Sequence, residues 1–172
     1  MIQARGQYPL RMVIRPMAKI AKNELKRMTK AKVADLFMEN GCSIDTMEAG
    51  SVKYEAIALA GSDQRIGAIY GSRGGACALW LKDEAWKRVK GELDPEQTKV
   101  VDVKMFGRGF QWAIHFNGPD DPAIEPTVKA AVDAGNARWT RTQTRRATEE
   151  RRARERVIRE AKMAEQRQDP WA

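Results

Sequence analysis

Only two cysteines and one histidine occur in the 172 residues, which removes most metal and disulfide chemistry. Cys42 and Cys77 lie 35 positions apart with His115 as the sole imidazole, so the paired spacing of a zinc site cannot be assembled. Two thiols outside a disulfide-rich pattern suit a reducing compartment, and buried, small apolar roles are expected of them. Long hydrophobic runs are also missing: the longest, such as residues 76–81, fall far short of the roughly 20 residues that cross a bilayer. Residues 1–16 carry Arg5, Arg11 and Arg15 without an apolar stretch of signal-peptide length, so a soluble, non-secreted, cytoplasmic protein is expected. The same basic, acid-free stretch leaves an organellar presequence open, although it lacks serine, and Met17 offers a second start.

Catalytic groupings are equally scarce. His115 has no partner visible in the sequence, no Ser or Cys occupies a nucleophile elbow, and Glu48, Glu55 and Asp63 lack the Glu-x-Lys arrangement of a metal-dependent nuclease. The loop Gly71-Ser72-Arg73-Gly74-Gly75 lacks the Lys-Ser/Thr ending of a phosphate-binding loop and leads into a strand, so it is expected to be a turn. A non-catalytic protein without metal or cofactor is the expectation, and an enzyme here would need a nuclease-like site assembled in space.

What the chain does have is a core and a divided charge. An apolar content of 42% over this length supports one domain with extensions. Residues 1–32 hold nine Lys and Arg against one acid, residues 138–167 hold eleven against five, and residues 33–137 hold eleven against sixteen. A body of net −5 thus separates a segment of +8 from one of +6. Like charges gathered in one segment repel unless phosphates or carboxylates neutralise them, which points to an acidic partner.

Asn23 is expected to cap a helix that runs to about Asn40 and ends at Gly41. Leu25, Met28, Val33, Leu36 and Phe37 would form its packed face, with Lys22, Lys26, Arg27 and Lys30 on the other. Short apolar runs separated by Gly, Ser and Asp predict strands over about 52–60, 65–70 and 76–81. Asp83 is an N-cap candidate for a short helix with Trp86 and Val89 inward, ended by Gly91 and an Asp94-Pro95 turn. A hairpin is then expected to pair 100–106 with 110–116 around Gly107-Arg108-Gly109, with Phe110, Trp112, Ile114 and Phe116 on one side. Asp120 or Asp121 would begin a last helix.

From Trp139 onward the only apolar stripe is Ala153, Val157, Ala161 and Ala164 with Ile158 alongside, too weak to build a core. Alanine content and i,i+4 Glu–Arg pairs nevertheless favour helix. The organisation read from these patterns is a flexible basic leader over 1–17, a single α+β body over 18–135, and a basic helical extension over 136–172. The fold class is α+β, an antiparallel meander and hairpin with an N-terminal helix, a short middle helix and a long basic C-terminal helix.

Two stretches resemble known families. Arg108-Gly109-Phe110-Gln111-Trp112 begins like the first ribonucleoprotein motif of RNA-recognition domains, but Gln111 and Ala113 depart from it, so a core-facing strand is expected instead. Residues 75–90, in which a Leu-containing strand ending at Leu81 leads into a helix carrying Trp86, resemble the end of the transcriptional-coactivator family of single-stranded-DNA binders. With the preceding strands the likeness covers about residues 52–93. It implies a curved sheet in which Arg65, Arg73 and the strands around Tyr54 and Tyr70 face DNA.

Arginine supplies ten of the eleven cations in residues 138–167, whereas residues 1–32 use five lysines and four arginines. Its planar fork grips phosphate bidentately, where lysine acts as a point charge. The expected function is therefore binding of DNA or RNA through phosphates. Arg138, Arg141, Arg145 and Arg146 are the candidate contacts, followed along the chain by Arg151, Arg152, Arg154 and Arg156. Lys22, Lys26 and Lys30 in the first helix and the loop residues Arg73 and Arg108 join them. The alternative is a structural or inhibitory subunit of a larger assembly whose basic arms dock on an acidic protein surface. A membrane partner is not expected, because a large apolar face is missing.

Overall fold

In a computed structural model of the protein, residues 11–49, 52–71, 77–100 and 109–168 are described. In chain order they form α1 (Arg11–Glu39), β1 (Cys42–Ala49), β2 (Val52–Leu59), β3 (Arg65–Tyr70), β4 (Cys77–Leu81) and α2 (Asp83–Val89). A 3-10 turn (Pro95–Gln97), β5 (Thr98–Val100), β6 (Trp112–Phe116) and α3 (Ile124–Gln168) follow. The fold is α+β. The six strands make one antiparallel sheet in the order β1-β2-β3-β4-β6-β5. The chain divides into two compact units, residues 1–135 and 136–172, with the boundary inside α3.

Turn residues and apolar runs place β2, β3 and β4 within a residue of the expected bounds. β1 is an addition. Asp45, Glu48 and the long side chain of Met47 blur its alternation, yet it pairs with β2 along its whole length, from Cys42 opposite Leu59 to Ala49 opposite Val52. Gly41 fits its expected role, ending α1 at φ +73°, a left-handed conformation that glycine adopts without a Cβ penalty.

The start of α1 corrects the expectation. Asn23 is not a cap but an exposed mid-helix residue, because the helix begins at Arg11. Residues 17–22, Met-Ala-Lys-Ile-Ala-Lys, contain no turn former that would stop a helix upstream of Asn23. The packed face also differs. Val33 and Phe37 are fully buried as expected, but Leu25 and Met28 are 40% and 51% exposed, and Thr29 is buried in their place. Its hydroxyl donates to the Leu25 carbonyl at 2.7 Å, which satisfies the polar atom and makes its burial tolerable.

Asp83 also differs from its expected capping role: it is the first residue of α2, and Lys82 stands at the cap position without a side-chain cap bond. The Asp83 carboxylate is engaged elsewhere. Lys87 reaches it at 2.6 Å and the Trp112 indole N–H donates to it at 3.2 Å. These hydrogen bonds, that of Lys87 first, hold its carboxyl below the ordinary range. Trp112 in turn stacks on Trp86 with ring centroids 3.7 Å apart and planes 4° from parallel.

That anchorage fixes the register of the last hairpin. A three-residue loop at 107–109 would set Val100 opposite Phe116, whereas Val100 lies opposite Trp112 and Thr98 opposite Ile114, a shift of four residues. The other end of β5 is tied as well, since Gln97 in the preceding turn donates to Asp121 at 2.8 Å. Residues 101–108, expected to supply the first strand and its turn, lie outside the described residues. Phe110 departs too. The Gln111 amide donates to the Leu81 carbonyl, opposite which Trp112 also stands, so alternation is interrupted there. Phe110 consequently packs with Trp80 and Ala113, on the face away from Trp112 and Ile114.

The two sheet faces are built differently. Ile57, Ile69, Leu79, Leu81, Ile114 and Phe116 share one face by register and are at most 1% exposed. This face meets the helices: Lys30 of α1 pairs with Glu55 of β2, and Gly135 of α3 lies against Leu59 of β2. Each large apolar side chain removed from water there contributes about 1.5–3 kcal/mol. On the opposite face Ala68, Ala78 and Ala113 form a low floor that leaves room for Trp80 and Phe110, with Tyr54 and Tyr70 packed alongside. Tyr70 and Trp80 meet at 5.4 Å in a tilted pair.

Candidate nucleic-acid interface

Helix geometry decides what the C-terminal arginines can do together. At about 100° per residue, Arg138, Arg141, Arg145, Arg152, Arg156, Arg159 and Arg167 fall inside a sector of about 80°. Of the five acids in residues 138–167 only Glu149 shares that sector, which leaves it a net +6. The rest of the circumference holds Arg146, Arg151, Arg154 and Lys162 against Glu150, Glu155, Glu160 and Glu165, a net of zero. The whole net charge of this segment therefore lies on one side of the helix.

The side chains are available. All seven arginines of the sector are exposed, as are Arg146, Arg151 and Arg154. Arg145 pairs with Glu149 and Arg151 with Glu155, both at 3.6 Å and both between side chains more than 60% exposed, where an ion pair holds weakly. Arg138, Arg152, Arg156, Arg159 and Arg167 form no ion pair among the described residues. Thr142, Thr144 and Thr148 return their hydroxyls to the carbonyls four residues back, at 3.0, 3.0 and 2.8 Å. Those hydroxyls satisfy the helix itself and add little to the charged side.

The sequence candidates thus separate into groups. Arg138, Arg141, Arg145, Arg152 and Arg156 come together on the charged side, while Arg146, Arg151 and Arg154 lie around the rest of the helix. Sequence reasoning missed Arg159 and Arg167. The exact seven-residue repeat Arg138, Arg145, Arg152, Arg159 was the signal that would have found the first of them. In α1, Lys22 is exposed, but the Lys30 ammonium is neutralised by Glu55 at 2.5 Å and Lys26 lies against Gly71. Arg73 and Arg108 lie outside the described residues.

Other groups with chemical potential are engaged in holding the fold. Cys77 is 1% exposed, and burial pushes its thiol up to about 12, with the charges of Lys30, Glu55 and Lys26 as smaller influences. Burial first, and then the charge of Lys99, lowers the pKa of His115. Asp121 lines an open groove of about 680 Å³ with Glu92, Asp94 and Asp120. Its carboxylate is occupied by the Asn117 and Ala123 amides at 2.9 and 3.0 Å as well as by Gln97, so it organises the turn into α3. Among the described residues no group of three or more His, Cys, Asp or Glu could hold a metal ion, and no helix is long and apolar enough to cross a membrane. Comparison with protein-family models, with curated proteins and with solved structures gives no match.

Proposed function

We propose that this is a non-catalytic nucleic-acid-binding protein that takes phosphates on the arginine side of α3. The observation that carries the reading is the one-sided charge: net +6 within a sector of about 80°, against zero on the remainder. A cationic strip of guanidinium forks suits a polyanion that supplies regularly spaced oxygens. Neutralising phosphates releases condensed counterions, so affinity would be large at low salt and indifferent to base sequence.

The test is fluorescence anisotropy of the full chain with random-sequence DNA and RNA at several salt concentrations. Affinity should fall linearly on logarithmic axes as salt rises. Changing Arg138, Arg145, Arg152 and Arg156 to Gln should weaken binding at least tenfold. The matched change of Arg146, Arg151, Arg154 and Lys162 lowers the net charge equally but removes no group of the strip, so it should cost several-fold less. Lysine at the first four positions should preserve the salt slope and still weaken the complex, since charge remains and the fork is lost. Weak binding to both polymers, together with tight, salt-sensitive capture by an acidic protein, would replace this reading with the protein-docking one.

A further inference from the structure

A helix lying in the major groove of a duplex is flanked by two phosphate backbones. The groove is about 12 Å wide and a helix with its side chains about 10–12 Å across, so cations are needed on both flanks, with base-contacting side chains between them. The arginine segment of α3 has the opposite plan. Its net charge occupies a single sector, and a quarter-turn to either side cations and acids balance, Arg146 against Glu150 on one flank and Lys162 against Glu155 on the other. Its arginines are also spread along the axis, in steps of about 4.5–10.5 Å. Six arginines from Arg138 to Arg159 follow one another at a mean of roughly 6 Å, comparable to the separation of successive phosphates along one strand. A duplex backbone winds away from a straight line, so such a strip meets it over only part of a turn. A flexible single strand can follow the strip throughout.

Resting on the nucleic-acid reading above, we infer that the ligand is a single strand of DNA or RNA laid along the arginine side of the helix and held by its phosphates alone. The strip carries no aromatic residue, since Trp139 lies about a quarter-turn from its edge, so the bases are not held by stacking. Sequence selection is therefore absent. Because the 2′-hydroxyl is not needed either, DNA and RNA strands are bound alike.

The experiment compares the full chain on single strands of DNA and of RNA, on a blunt duplex of equal length, and on an abasic strand that keeps the sugar–phosphate chain without bases. The single strands should bind at least tenfold tighter than the duplex at the same salt, and the abasic strand within about threefold of the normal one. Affinity should climb with strand length up to about seven nucleotides, one phosphate per arginine of the strip, and rise only slowly beyond. Replacing Arg138, Arg145, Arg152 and Arg156 by Gln should reduce the salt slope on single strands by about 3, since each lost phosphate contact contributes about 0.7. A duplex bound as tightly as a single strand would overturn the inference while leaving the proposed function standing. An abasic strand bound more than tenfold weaker would overturn it by showing that bases carry the contact. Failure of every polymer to bind would remove both.

Discussion

A methyl group at position 135 would land on the Cγ2 atom of Ile66 and lie 3.5 Å from Leu59 Cδ1. Alanine is ordinarily better than glycine inside a helix by about 0.5–1 kcal/mol. Here packing opposes propensity, because Ile66 is 3% exposed and its β-branched side chain has little rotamer freedom. Gly135→Ala should therefore destabilise the protein by about 1–3 kcal/mol in urea titration, and an increase in stability would refute the close approach of α3 to the sheet. His115 has a pH consequence. Its folded pKa lies below its ordinary value of 6.5, so between the two values the unfolded chain binds more protons and stability rises with pH. This contribution is present at neutral pH and is lost as pH falls below about 6.5. His115→Asn should flatten the difference in urea midpoint between pH 7.5 and 5, and an unchanged difference would assign that slope to other groups.

At the scale of elements, the tail and the body make different demands. Val157, Ile158 and Met163 are 65%, 56% and 48% exposed, so the arginine segment buries little to repay its ordering. A chain ending at residue 137 should keep a cooperative melting transition while losing most of its affinity for polyanions, and loss of that transition would make the segment part of the core. Elements with local punctuation were legible in the sequence: β2, β3 and β4 sit between turn residues, and Gly41 marks the end of α1. What was not legible depended on distant partners. β1 is a strand because β2 pairs with it, and the β5–β6 register follows from Trp112 being held by Trp86 and Asp83. Thr29 is buried because α1 presents Val33 and Phe37 to the sheet and the hydroxyl has a carbonyl within the helix to bond.

For the whole molecule, the division of charge was visible as counts of residues, while its one-sidedness showed only in part, through the seven-residue repeat of Arg138, Arg145, Arg152 and Arg159. A count treats Arg146, Arg151 and Arg154 as equal to Arg138, Arg152 and Arg159, and only continuous helix from Ile124 to Gln168 fixes which of them face together. The same continuity has a consequence for how the chain is degraded. Every arginine of the strip is a cleavage point for trypsin, and a helical segment whose side chains are nearly all exposed opens locally at a small fraction of the cost of global unfolding. Brief digestion should therefore cut within 138–167 while the sheet remains intact, at rates set by local fraying. A bound strand should shield those cuts, and added salt should restore them as the strand leaves. First cuts between residues 42 and 81 would instead make the sheet the weaker part. The strip would thus act as a protease-sensitive gauge of occupancy, with each bound phosphate slowing the cut at the arginine that holds it.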